Sequence, residues 1–81
     1  MNAGVWEIDL HGKNEYQARV AIDAVLRRAK AGTYRIRCIH GHHGGTALRD
    51  MIRHQYAADP KVIRLETGVG SGVTDLVLRE F

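Results

Sequence analysis

The feature that most constrains the fold is the segment from Cys38 to Arg49, which reads CIHGHHGGTALR. An apolar, β-leaning run stops at His40-Gly41, and the spacing of an amphipathic helix begins at Thr46 or Ala47. Glycines let a backbone approach a ligand closely, and the unpaired amides and positive dipole end of a helix attract anions. The segment therefore predicts either a phosphate site or a strand-to-helix turn whose glycines have only a geometric role.

Titratable and charged side chains gather in the same segment. His40, His42 and His43 share the loop, and imidazoles that titrate near neutral pH donate hydrogen bonds, move protons or bind metals. Arg49 falls in the first turn of the predicted helix, where the dipole disfavours a cation. An anion bound there would explain this arginine, so Arg49 favours the phosphate interpretation.

A second polar strand end lies earlier in the chain. The run Val5–Leu10 alternates like a strand and stops at His11-Gly12. Asp9 and His11 are two residues apart, so they project from the same face. A carboxylate beside an imidazole can orient a base, accept a proton or hold a metal. The alternative, which the spacing alone favours, is a solvent-facing strand end in which Asp9 caps a turn.

The remaining periodicities predict the order strand, helix, strand, helix, strand, strand. The first helix is capped by Asn14 and is expected to end near Ala31-Gly32, with Gly32 in the left-handed cap conformation. A strand over residues 33–39 turns Arg35 and Arg37 away from its apolar face. The second helix stops at Asp59-Pro60, and strands near 61–66 and 73–78 flank a second glycine-rich loop.

This order predicts an α/β fold. Strand-helix-strand units cross right-handed and give parallel pairs, and the final hairpin is expected to add an antiparallel edge. Loops that leave the carboxyl ends of parallel strands share one rim of the sheet. His11-Gly12 and residues 40–45 are therefore expected to converge.

Length and composition predict one soluble domain over residues 1–81. The net charge of +3 and the pI near 9.4 favour a polyanionic partner. The sequence shows no membrane-spanning run and no signal peptide, so we expect a cytoplasmic protein without a membrane partner. The single cysteine, Cys38, is expected to be a buried, inert thiol. The aromatic residues, Tyr16 among them, are expected at core or half-buried positions.

Three motifs in register resemble the small MutS-related (Smr) domain family. They are Asp9-Leu10-His11-Gly12, Ile39-His40-Gly41 with later glycines before Ala47-Leu48-Arg49, and Gly70-Ser71-Gly72-Val73-Thr74. The resemblance covers residues 5–78. It implies a two-layer sandwich of a four-stranded mixed sheet with two helices, order βαβαββ, similar to the C-terminal domain of translation initiation factor 3. It also implies nucleic-acid binding and, in many members, nicking of DNA or cleavage of RNA.

The second motif departs from the family pattern. His40 and Gly41 match the first two positions of the family's His-Gly-x-Gly-x-Gly motif, but this chain has one extra residue before the helix. His42-His43 stand where the family usually has one basic residue, Gly44 takes the second glycine position, and Thr46 stands where the third is expected. Thr46 retains the ability to cap the helix.

The leading hypothesis is an endonuclease whose rim contains both histidine motifs. Asp9, His11 and His40 are the predicted catalytic residues, and the attacking group is water or, for RNA, the neighbouring 2′-hydroxyl. The alternative is a non-catalytic module that binds structured DNA or RNA through the same loops. The predicted phosphate and nucleic-acid contacts are Gly41, His42, His43, Gly44, Gly45, Thr46, Arg49, Arg35, Arg37 and Gly70.

A metal is not assigned to any residue. Asp9 and the loop histidines offer ligands, so Mg²⁺ or Mn²⁺ is the one cofactor that the sequence leaves open. Two-metal nucleases usually have several carboxylates in their active sites. This rim is expected to contain the carboxylate of Asp9 alone, and Asp75 is the one further carboxylate that could lie near it. The sequence predicts no oligomeric state.

Overall fold

A computed structural model describes residues 4–41, 46–67, 70 and 72–80. Four strands and two helices follow the predicted order. They are β1 (Val5–Asp9), α1 (Glu15–Arg28), β2 (Arg35–Ile39), α2 (Ala47–Tyr56), β3 (Arg64–Thr67) and β4 (Val73–Val77).

The four strands form one mixed sheet in the order β1-β2-β4-β3. β1 and β2 are parallel, with Asp9 opposite Ile39, and β4 runs antiparallel to both β2 and β3. The final hairpin therefore adds an antiparallel edge to the parallel pair, as predicted, with β4 internal and β3 at the edge. Burial agrees with this order, because Thr74, Asp75, Leu76 and Val77 are all at most 2% exposed, while β3 begins with an exposed residue.

Both helices pack on one face of the sheet. Ala18, Ile22 and Leu26 recur at helical spacing along α1 and are buried, and α2 contributes Met51 and Ile52. They meet the buried face of the sheet, which carries Ile36, Cys38 and Leu76. The buried apolar cluster contains Leu10, Ala18, Ile22, Leu26, Ile36, Cys38, Met51, Ile52, Tyr56, Val62 and Leu76.

The start of α1 agrees with the sequence, but its end does not. The side-chain oxygen of Asn14 accepts from the amide of Gln17, and the side-chain oxygen of Gln17 accepts from the amide of Asn14, which is a complete capping box. The helix stops at Arg28, and Ala29 leaves it in an extended conformation. The prediction of an end near Ala31-Gly32 was wrong, and Gly32 is not in the left-handed region.

The environments of two side chains test predictions made from residue type. Cys38 is fully buried, and this burial raises the pKa of its thiol to about 12, so it stays protonated as predicted. Tyr16, expected at a core or half-buried position, is 71% exposed in the first turn of α1. In the residues that the structure describes, no helix is long and apolar enough to cross a membrane.

Candidate functional site

Three chain segments meet at one rim of the sheet. The amide of Leu10, just after β1, donates to the carbonyl of Ile39 at the end of β2, at 2.8 Å. The amides of His40 and Gly41 both donate to the carbonyl of Gly72, just before β4, at 2.9 and 3.0 Å. The predicted convergence of the two histidine motifs is confirmed. The second glycine-rich loop joins them because β4 lies beside β2.

Glycines in the left-handed region shape this rim. Gly12, Gly41 and Gly70 have φ values of 81°, 74° and 84°. At Gly41 the backbone also passes close to His11, because a Cβ placed on Gly41 would lie 3.4 Å from Cδ2 of that imidazole. The left-handed turn at Gly41 therefore favours glycine, whereas a Cβ there would meet His11 only at an ordinary van der Waals distance.

Gly41→Ala is expected to lower the free energy of unfolding by about 1–2 kcal/mol, because an L side chain disfavours this left-handed backbone. Urea denaturation measures the change. Gly32→Ala is the matched control, since it has an ordinary φ and open space around its Cβ position. We expect the control to change stability by less than about 1 kcal/mol, in the stabilising direction. Equal stability of Gly41→Ala and wild type would contradict the strain assigned to this turn.

Asp9 and His11 lie on the exposed side of the rim. One carboxylate oxygen of Asp9 accepts from the backbone amide of His11 at 2.9 Å, so Asp9 caps the turn, as the alternative interpretation proposed. Within the described part of the chain, no other hydrogen bond reaches this carboxylate or the His11 imidazole. The arrangement leaves an acceptor and an imidazole open to solvent, two residues apart, beside Gly41.

His40 occupies a different environment from His11. Its ring is 6% exposed and lies between two partners, the carbonyl of Gly41, 2.7 Å from Nδ1, and the hydroxyl of Thr74, 2.9 Å from Nε2. Because a carbonyl only accepts, Nδ1 carries a hydrogen, and in the neutral ring Nε2 accepts from Thr74. The sequence predicts a catalytic role for His40, but both ring nitrogens are occupied by the protein itself. The geometry supports a positioning role, in which His40 ties the Gly41 turn to β4.

At the start of α2, the anionic group is a side chain of the helix itself, the carboxylate of Asp50. The hydroxyl of Thr46 donates to Asp50 at 2.8 Å, and Nε of Arg49 donates to the other oxygen of that carboxylate at 3.2 Å. These two donors hold the pKa of Asp50 below its usual value. The structure shows no side-chain cap by Thr46. The anion that Arg49 contacts is Asp50, so the position of this arginine no longer argues by itself for a bound phosphate.

The face of the sheet opposite the two helices is its open face. Arg35 and Arg37 lie on this open face and are paired with Asp75. One carboxylate oxygen of Asp75 lies 2.7 Å from Nη1 of Arg35, and the other lies 3.1 Å from Nε of Arg37. Nη1 of Arg35 also lies 2.8 Å from Oε1 of Glu66. Asp75 is 2% exposed and lies opposite Arg37 in the strand register, two residues from the rim. The guanidinium donors predicted to contact flanking phosphates therefore serve an internal ion-pair cluster.

Comparison with known proteins agrees with this geometry. The chain matches the Smr domain family over residues 8–79. The chain belongs to the Smr domain family. The crystal structure of the Smr domain of Thermus thermophilus MutS2 is 34% identical in sequence, with a TM-score of 0.82 over 93% of this chain and 99% of that chain. No curated protein matches. The Smr family is of the nucleic-acid-binding, endonuclease type, and the predicted family and fold are both confirmed.

Part of the predicted site of this Smr domain lies outside the described residues. His42, His43, Gly44 and Gly45 are in that part of the loop. Among the residues that the structure does describe, no group of three or more His, Cys, Asp or Glu side chains is arranged to hold a metal ion.

Two residues that organise the Smr rim received no role in the sequence analysis. The hydroxyl of Thr74 is hydrogen-bonded to Nε2 of His40. The carbonyl of Gly72 accepts hydrogen bonds from the amides of both His40 and Gly41. Thr74 alternates with Leu76 on β4 and therefore falls at a core position. A polar side chain in a core position needs a partner, and this was the available signal. Gly72 acts through its backbone, which no residue type reveals.

Proposed function

We propose that this Smr domain is an endonuclease, a phosphodiesterase that cleaves nucleic acid at the rim formed by β1, β2 and the start of β4. The observation that carries the proposal is the pair of solvent-open groups, Asp9 and His11, beside the left-handed turn at Gly41. Gly12 is exposed, and its backbone amide donates to no other described residue, so that amide is accessible to a phosphate oxygen, whereas the amide of Gly41 is already donated to Gly72. A base, an acid and a phosphate-binding backbone in one place are the parts that phosphodiester cleavage needs.

The exposed side chains have complementary roles in the proposed reaction. Asp9 removes a proton from the attacking oxygen, which belongs to water or to the neighbouring 2′-hydroxyl of RNA. That oxygen forms a bond to phosphorus while the bond from phosphorus to the leaving oxygen breaks. His11 in its protonated form donates a proton to the leaving oxygen. The backbone amide of Gly12 stabilises the charge that develops on the phosphate.

His40 is a positioning residue in this proposal. It is buried, and its hydrogen bonds to Thr74 and to the Gly41 carbonyl fix the turn on which the His11 imidazole lies. Because this turn is fixed before substrate binds, the rim beside His11 needs no reorganisation during the reaction. Arg49, in the first turn of α2, would have to leave its contact with Asp50 to add charge to a bound phosphate.

The second candidate function is a non-catalytic module that binds DNA or RNA structure. The hydrogen bond from the amide of His11 to Asp9 favours it, since a carboxylate that merely caps a turn would make the same contact. Mg²⁺ or Mn²⁺ is the cofactor to test in the catalytic case, although Asp9 is a single carboxylate and the described residues form no ligand cluster.

Cleavage assays separate the two functions. Labelled single-stranded RNA, supercoiled plasmid and branched DNA are incubated with the domain, with and without Mg²⁺ or Mn²⁺. An endonuclease cleaves at least one substrate, whereas a binding module leaves all of them intact. In both cases the logarithm of affinity falls linearly with the logarithm of salt concentration. Absence of both cleavage and salt-dependent binding would contradict a nucleic-acid function altogether.

A further inference from the structure

Positive charge is distributed unequally between the two faces of this domain. On the open face of the sheet, a row in register places Glu7, Arg37, Asp75 and Glu66 side by side. Each arginine of that face is paired: Arg35 and Arg37 with Asp75, and the strand-edge arginine of β3 with Glu66 and Glu80. Carboxylates outnumber arginines there, so the open face does not attract a polyanion.

The helix layer holds the unpaired cations. Arg19 and Arg27 on α1, and Lys30 just after it, are exposed. In the part of the chain that the structure describes, none of the three forms an ion pair. Asp23 on the same helix is half-buried and accepts from the hydroxyl of Tyr56 at 2.7 Å. The excess positive charge of the molecule is therefore concentrated on the helix side.

The outer surface of α1 combines these cations with an exposed aromatic ring. Tyr16, Val20 and Arg27 are spaced by four and seven residues, so they lie on one side of the helix, opposite the buried stripe. Tyr16 is 71% exposed and Val20 is 50% exposed. Tyr16 also lies at the rim end of the helix, five residues after His11. An exposed ring among unpaired arginines is the combination that binds single strands, because bases stack on the ring and phosphates contact the cations.

The basic surface continues to the opposite end of the helix. A hollow of about 280 Å³ there is lined by Lys30, Lys61 and Arg79 together with apolar neighbours from α1 and the chain after β4. The helix has 14 residues and is about 21 Å long. Successive phosphates of one stacked strand are about 3.4 Å apart along the axis, so this surface has room for several nucleotides.

We propose that a single strand of nucleic acid leaves the rim over the outer surface of α1, where Tyr16 stacks on an unpaired base and Arg19, Arg27 and Lys30 contact phosphates. The inference rests on the proposed function, because the rim must hold the strand at its start. It specifies the substrate class as a strand that is unpaired next to the cleavage site. It also excludes the open sheet face as the binding surface.

Binding of two fluorescein-labelled strands of equal length tests the stacking contact. One is a twelve-nucleotide thymidine strand, and the other has abasic sites in place of the bases. Fluorescence anisotropy is expected to show that Tyr16→Ala binds the thymidine strand about tenfold more weakly and the abasic strand as wild type does. Tyr16→Phe keeps the ring and is expected to retain wild-type affinity. Val20→Ala, on the same surface, is the matched control and is expected to change neither affinity.

The phosphate contact is tested by salt dependence with variants on opposite faces. Arg27→Gln is expected to reduce the slope of log affinity against log salt by about 0.7. Arg64→Gln, on the edge strand of the open face, is expected to leave that slope unchanged. Thermal unfolding of every variant verifies that these exposed substitutions leave the fold intact.

Two outcomes would overturn the inference while leaving the proposed function standing. In the first, the wild type binds or cleaves nucleic acid but Tyr16→Ala behaves like wild type on both strands. In the second, Arg64→Gln weakens binding as much as Arg27→Gln does. A wild-type domain that neither binds nor cleaves any of the tested nucleic acids would instead remove the proposed function, and the inference with it.

Discussion

Asp9→Asn is expected to lower the rate of nucleic-acid cleavage by about 100- to 10,000-fold, the usual contribution of a general base. The substitution removes the basic carboxylate but keeps an oxygen that accepts from the amide of His11, a bond of 2.9 Å in the structure. The turn, the fold and the affinity for substrate should therefore stay close to wild type. Cleavage under substrate-saturating conditions, binding by anisotropy and thermal unfolding are measured on the same preparation.

Asp59→Asn provides the matched control. Asp59 accepts from the amide of Lys61 at 2.8 Å, the same hydrogen bond to the second residue along the chain that Asp9 makes. It lies after α2 rather than at the rim. We expect wild-type cleavage from this variant. Full activity of Asp9→Asn, or an equal loss in both variants, would show that Asp9 only caps a turn.

Asp75→Asn is expected to lower the free energy of unfolding by about 2–4 kcal/mol, because loss of a buried charge leaves its partners without compensation. Asp75 is 2% exposed and receives hydrogen bonds from both Arg35 and Arg37. Arg35 keeps its ion pair with Glu66 in this variant. The loss of stability is therefore smaller than when a buried charge loses every partner. In a domain of this size, the change corresponds to a fall in Tm of about 8–32 °C.

The control for this prediction is Glu7→Gln. Glu7 contacts the same arginine, Arg37, but at 3.8 Å and with 60% of its side chain exposed. Exposed ion pairs contribute about 0–1 kcal/mol, so this variant should unfold close to wild type. Calorimetry measures the thermal stability of both variants against wild type. If Asp75→Asn were as stable as Glu7→Gln, the ion pairs of Asp75 with Arg35 and Arg37 would not stabilise the fold.

The rim was predictable from sequence because it follows from a local rule. A strand, a helix and a second strand form a parallel pair, and the ends of parallel strands meet at one edge. His11 and the His40-Gly41 turn each follow such a strand, so their proximity required no long-range information. The same alternation correctly placed Arg35 and Arg37 on the face opposite Ile36 and Cys38.

The partners of those arginines were not predictable in this way. Asp75 lies 40 positions after Arg35 and reaches it only because β4 enters the sheet beside β2. A hairpin pattern shows that two strands pair with each other, but it does not show which of them pairs with the rest of the sheet. The roles of Arg35, Arg37 and Gly72 all depend on that one choice.

Tyr16 illustrates a signal that was present in the sequence and misread. Its aromatic type suggested a core or half-buried position, yet it is two residues before Ala18, the first residue of the buried stripe of α1. Two residues along a helix rotate the side chain by about 200°, so Tyr16 points away from the sheet. The phase of the helix predicts exposure correctly, whereas residue type alone does not.

The most direct test of the rim as the place where nucleic acid binds and is cleaved is an amide NMR titration of the Asp9→Asn domain with a short single strand. Asp9→Asn is used so that the strand stays intact during the measurement. If the rim holds the phosphate, the largest changes in chemical shift fall on the amides of Gly12, Gly41 and Gly72. If the largest changes fall instead on the open face, around Glu66 and Asp75, and the rim glycines do not respond, the rim is not the binding site.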